Sequence, residues 1–105
     1  MSNSVMRDKA KAFAKNIVFL CRNMKAEHKE TVLINQLLRS GTSIGANIHE
    51  AQYAQGTKDF ISKLEIAQKE CYETEYWLEL YLKPILLKNV LTSLFRMIAE
   101  QFAEC

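Results

Sequence analysis

Leu37-Leu38-Arg39-Ser40-Gly41-Thr42-Ser43-Ile44-Gly45-Ala46-Asn47-Ile48-His49-Glu50-Ala51 carries the pattern from which the rest of the chain can be read. With Ile34 in front, Leu37, Gly41, Ile44, Ile48 and Ala51 step by three and four, the spacing of one face of an α-helix. Two glycines and two serines inside such a helix cost roughly 0.5–1 kcal/mol each against alanine. Close approach is the compensation: the backbone is expected to lie against another helix, where no larger side chain fits. A second stripe, Ser40, Ser43, Asn47, Glu50 and Ala54, sits about a quarter turn round and is also small or polar. This helix is therefore expected to meet neighbours on two sides.

Downstream, Gly56 is a stop signal and Thr57 a capping residue, while Thr31 can cap the start. These signals predict the helix over 31–55 and the next one over 58–82. In the latter, Phe60, Leu64, Ala67, Cys71, Thr74, Leu78 and Tyr81 form a heptad seam. Beside it run Lys63, Ile66, Glu70, Glu73 and Trp77, half apolar and half charged. Pro84 ends that helix and fits the first turn of another, predicted over 84–104 with Leu87, Leu91, Leu94 and Ile98 on one face. Upstream, Met6, Ala10, Phe13, Ile17, Leu20 and Met24 repeat the spacing over 5–26. Short connections force consecutive helices to lie antiparallel, so the expected fold is all-α, an up-down-up-down four-helix bundle in a single domain, 1–105.

Composition agrees with this reading. Apolar residues make up 49%, with one proline and three glycines, which suits a helical core and not a disordered chain. No apolar run approaches the ~20 residues of a bilayer span, and the N-terminus lacks a secretory pattern. A cytoplasmic protein with no membrane partner is expected. Cys21, Cys71 and Cys105 are odd in number and lack a CxxC pair, so they read as reduced thiols, two in the core and one at the terminus.

The net charge of +2 is unevenly spread. Residues 1–29 hold seven Lys/Arg against Asp8 and Glu27, whereas residues 57–83 hold four lysines against six acids. The first helix is basic and the third acidic. Arg7, Lys11, Lys15 and Arg22 lie largely off the first helix's apolar stripe. They form either a solvated face or one that meets phosphates or a partner.

Chemical motifs are missing. A di-iron bundle needs Glu-x-x-His pairs, but the residues three before His49 and His28 are Ala46 and Lys25. No Cys/His spacing resembles a zinc site, and there is neither a Walker loop nor GxGxxG. His49 and Glu50 are adjacent and diverge on a helix. The sequence thus predicts no enzyme, no metal and no cofactor.

Two blocks carry a family resemblance. Arg39 through Ser43-Ile44-Gly45-Ala46-Asn47-Ile48-His49-Glu50 resembles the R-x-x-x-S-I-x-x-N-I-x-E signature of the 23S rRNA intervening-sequence proteins. Lys58-Asp59-Phe60-Ile61, Leu64-Glu65-Ile66-Ala67 and Lys69-Glu70-Cys71-Tyr72-Glu73-Thr74-Glu75-Tyr76-Trp77-Leu78 resemble the family's next helix. The match covers about 33–82. Ala51 departs from it, since many relatives have glycine there. The resemblance implies a bacterial protein, a four-helix bundle and a ring-like homopentamer, without an activity. Related bundles serve diversity-generating retroelements as accessory proteins that bind nucleic acid and a reverse transcriptase.

The leading functional expectation is a non-enzymatic oligomeric adaptor. It would bind RNA or DNA, or a protein handling them, through Arg7, Lys11, Lys15 and Arg22. The alternative is a structural protein-interaction module without nucleic acid. Arg39, Ser43, Asn47, Glu50, Glu73 and Trp77 are the expected motif and interface residues, because polar groups in a helical stripe need partners; the alternative is that Asn47 and Glu50 pair inside one subunit.

Overall fold

Four helices make up the chain: α1 Asn3–Glu27, α2 Thr31–Ala51, α3 Thr57–Tyr81 and α4 Ile85–Glu104. The computed structural model describes the backbone of residues 3–27, 30–81 and 85–104 and the side chains of 4–27, 30–80 and 89–103. Among the described residues there is no strand. A helix of 25 residues is about 38 Å long, which accounts for most of the 44 Å long axis.

Each helix backbone runs beside two others, in the cycle α1, α2, α3, α4, and among the described residues the backbones of the diagonal pairs do not approach one another. Cross-helix pairs give the directions. Gly41 lies against Ile17 and Gly45 against Ala10, so α1 and α2 are antiparallel. Thr74 reaches Ser40 and Lys63 reaches Glu50, so α2 and α3 are antiparallel too. The fourth helix lies beside both α3 and α1. Phe95 meets Tyr72 edge-on at 5.0 Å, and Lys9 Nζ donates to Ser93 Oγ at 3.5 Å. The molecule is an all-α four-helix bundle.

The apolar stripes meet in one core. Ile34, Leu37, Gly41, Ile44, Ile48 and Ala51 are all buried. So are Met6, Ala10, Phe13, Ile17 and Met24 of α1, Leu64, Ala67, Cys71 and Leu78 of α3, and Leu91, Leu94 and Ile98 of α4. Leu20 and Phe60 are half-buried against them. Inside this core Thr74 Oγ1 lies 3.0 Å from Ser40 Oγ and 2.7 Å from the Glu70 carbonyl oxygen. The two hydroxyls bond each other across the contact and tie the register of α2 to that of α3. The side chains of Tyr81 and Leu87, and all of Pro84 and Cys105, lie outside the described residues.

The helix ends differ from the sequence reading. The second helix stops at Ala51, not near Gln55. Its exit tightens into three-residue steps: Gln52, Tyr53 and Ala54 donate their N–H to His49, Glu50 and Ala51 at 3.1, 3.0 and 3.2 Å. Ala54 is thereby removed from the small-residue stripe. Gly56 then turns the chain at φ 105°, a conformation that costs glycine nothing. Thr57 is not a cap but the first residue of α3, because Phe60 N–H already bonds the Gly56 carbonyl at 3.1 Å. The corner is held instead by Asp59, whose Oδ2 accepts the Gln55 N–H at 3.1 Å. Thr31 is likewise inside its helix. Glu30 takes the cap position without a side-chain bond.

Candidate functional site

The basic face comes from the geometry of α1. Its apolar stripe points into the core, which turns Arg7, Lys11, Lys15 and Arg22 outward, and all four are exposed. At about 100° per residue they fall within an arc of about 80°, which also takes in Lys25. Among the described residues, none of the four is paired with an acid. Among the described residues the backbones of α1 and α3 do not approach one another, so the acidic helix is not the direct neighbour of the basic one within a subunit.

Between α1 and α2 this face borders an open groove of about 400 Å³, lined by Arg7, Asp8, Lys11, Ala14, Thr42, Gly45, Ala46 and His49. The groove is shallow because the helices come close there: a Cβ on Gly45 would stand 3.3 Å from the Ala10 carbonyl oxygen. Lys15 and Arg22 continue the charged stripe beyond the groove. At the groove's end His49 packs against Tyr53, ring centroids 5.4 Å apart. Neither His49 nor Tyr53 belongs to a binding motif in the sequence; what brings them together is the end of α2 at Ala51 and the tightened turn that follows it.

The motif residues on α2 and α3 form a second constellation. Arg39 donates to Glu70 Oε2 at 2.9 Å and also to Glu73 Oε2. Trp77 Nε1–H donates to the same Glu73 oxygen at 3.0 Å. The bonds to Glu70 and Glu73 raise the pKa of Arg39 above its ordinary value. The Trp77 N–H, with Arg39, holds the Glu73 carboxyl below the usual carboxylate range. Ser43 Oγ bonds the Arg39 carbonyl at 2.6 Å, and Asn47 Nδ2 the Ser43 carbonyl at 2.8 Å. Glu50 pairs with Lys63 of α3 at 3.3 Å. The polar groups of this stripe thus find partners inside the subunit. Asn47 is satisfied by the preceding turn of its own helix. Glu70 and Lys63 were legible as stripe members but not as the partners they are.

The two described thiols are unsuited to nucleophilic work. Cys21 and Cys71 are free and buried. Burial raises the Cys21 pKa, and burial, with Glu70 and Glu75 nearby, pushes that of Cys71 up to about 12. Among the described residues no three His, Cys, Asp or Glu side chains form a group that could hold a metal, and no helix is long and apolar enough to cross a membrane.

A known structure shares the fold closely. The chain is similar to a protein of unknown function from the S23 ribosomal protein family of Bacteroides thetaiotaomicron VPI-5482. The two share 45% sequence identity over 95% of this chain and 96% of that one, with a TM-score of 0.89. No protein of curated function matches the chain. The model of one family matches residues 2–102, nearly the whole bundle, and the chain belongs to that family, the 23S rRNA-intervening sequence proteins.

Proposed function

We propose that the protein is a non-catalytic, oligomeric adaptor that binds the phosphate backbone of RNA or DNA through the basic face of α1. The observation that carries this reading is the placement of Arg7, Lys11, Lys15 and Arg22. They share one arc of one helix, all exposed, and no acid of the described subunit pairs with them. Cations so placed release counterions when they meet phosphates, the main source of sequence-independent affinity. The family's name, 23S rRNA-intervening sequence protein, makes ribosomal RNA the first ligand to try. We place the protein in the cytoplasm, where thiols such as Cys21 and Cys71 stay reduced.

Assembly belongs to the proposal. One subunit offers a small patch, and repeating it around a ring multiplies the contacts a long polyanion can make. A self-association surface is on hand: Tyr72, Tyr76 and Leu80 stand one turn apart on α3, 62%, 59% and 55% exposed. Large apolar groups repeated on one exposed face suit a protein contact. The acids of α3 suit a neighbour's basic α1 in a head-to-tail ring, five-membered by the family resemblance. The same stripe favours the second reading, a protein-interaction module without nucleic acid.

A polarisation titration with labelled 23S rRNA fragments and duplex DNA separates the two. The adaptor reading expects binding that is strongly weakened when Lys11, Lys15 and Arg22 are changed to glutamate in a variant that keeps its oligomeric mass. Wild-type protein that binds neither ligand at low salt leaves only the interaction module.

A further inference from the structure

The basic groove ends in an exposed aromatic ring. Tyr53 is 75% exposed, in the turn that follows α2. Its backbone is fixed by its N–H bond to Glu50 at 3.0 Å, and its ring rests on His49 at an interplanar angle of 59°. His49 in turn lines the groove with Arg7 and Lys11. Elsewhere the lining is small: Ala14, Gly45 and Ala46 carry at most a methyl group, and Thr42 turns its hydroxyl back to the Leu38 carbonyl at 2.7 Å, so a flat ligand can come close to the backbone. Cations, a floor of small residues and an outward-facing ring thus surround one opening.

This combination selects among nucleic acids. A duplex keeps its base faces inside its own stack, whereas a single strand or loop can lay a base on an aromatic ring while its backbone follows nearby cations. We infer that the groove between α1 and α2 is a site for single-stranded nucleic acid. Arg7 and Lys11 contact its phosphates, and Tyr53, braced by His49, stacks a base. The inference rests on the nucleic-acid reading above and deepens it by naming the strand form and the reading surface. Asp8 is the acid in the groove lining and opposes the ligand.

The test is fluorescence polarisation of the full chain with a labelled oligonucleotide of about a dozen nucleotides, within the site sizes of single-strand binders, in RNA and DNA form, and with the same sequence closed as a hairpin duplex. The open strands should bind more tightly than the duplex. Tyr53→Ala should weaken open-strand binding about fivefold to a hundredfold without changing its salt dependence, and Tyr53→Phe should restore it. Lys11→Gln should lower the salt slope by about 0.7, and Asp8→Asn should tighten binding. Equal affinity for strand and duplex, with Tyr53→Ala indistinguishable from wild type while Lys11→Gln still weakens binding, overturns this inference and leaves the backbone-binding reading intact. No binding by wild type to either form overturns both. The ring of Tyr53 is largely in solvent, so its loss does not threaten the fold, and circular dichroism of each variant verifies this.

Discussion

Gly41 and Ile17 stand so close that a Cβ on the glycine would lie 2.8 Å from Cγ2 of the isoleucine. The contact extends to Ile17 Cγ1 at 3.0 Å and to its Cβ at 3.3 Å, so a rotamer change cannot clear it. Ile17 is fully buried and has nowhere to go. Gly41→Ala should therefore lower the melting temperature. Overpacking costs about 1–3 kcal/mol and outweighs the roughly 1 kcal/mol gained in helix propensity. Gly45→Ala meets its nearest atom only at 3.3 Å and should be the milder of the two. A Gly41→Ala protein that melts higher than wild type would contradict the close approach of α1 and α2.

The Arg39–Glu73–Trp77 cluster predicts an acid-sensitive contribution to stability. Glu73 has its pKa lowered, first by the Trp77 N–H and then by Arg39. The unfolded chain therefore binds a proton more readily than the folded one. The stabilisation is fully present above the unfolded carboxyl pKa of about 4.3, and it is lost as pH falls through the folded value. Because Glu73 is about a third exposed, its size should be that of a surface pair, about 0.2–1 kcal/mol. Thermal melts of wild type and Glu73→Gln from neutral to acid pH should show a gap that closes on acidification. A gap that does not change with pH would mean the carboxylate charge contributes nothing.

The core was legible because its periodicity is long and regular. Ile34, Leu37, Gly41, Ile44, Ile48 and Ala51 recur over five turns, and no other conformation would put all six on one side. The glycines were legible too, since their helix cost demanded a close neighbour. The turn at Gln52–Ala54 was not. Its residues are helix formers, and tightening of the last turn is set by how α3 must come back along α2. The partners of Asn47 and Glu50 were also hidden. Spacing shows which residues share a face, but the choice between a carbonyl one turn back, a lysine on α3 and a neighbouring subunit depends on packing. The groove could not be read at all, because it is made of what Ala14, Gly45 and Ala46 lack.

Burial also sets the reactivity of the thiols. With its pKa pushed up to about 12, Cys71 carries almost no thiolate at pH 8, and Cys21 is buried with a raised pKa. In a Cys105→Ser background, native protein should resist a thiol-specific chromogenic reagent, and both cysteines should react once denaturant is added. Fast native-state labelling would show that the core opens readily or packs differently.

The exposed stripe on α3 makes assembly testable without reference to any ligand. Tyr76→Lys together with Leu80→Glu changes residues that are 59% and 55% exposed, so the subunit should still fold. Light scattering should find wild type as a ring, five chains by the family resemblance, and the double variant as smaller species. Wild type with the mass of one chain at micromolar concentration would refute the assembly. A variant that stays assembled would move the interface off this stripe.

If α1 meets phosphates, binding must weaken steeply as salt is added. Affinity for a single-stranded rRNA fragment should be measured across a series of salt concentrations, for wild type and for Lys11→Glu/Lys15→Glu/Arg22→Glu. Each phosphate contact contributes about 0.7 to the slope of log affinity against log salt. Wild type should show a steep linear decline, and the variant weaker binding with a slope shallower by about two. Equal affinities and equal slopes for the two proteins would contradict phosphate binding by α1.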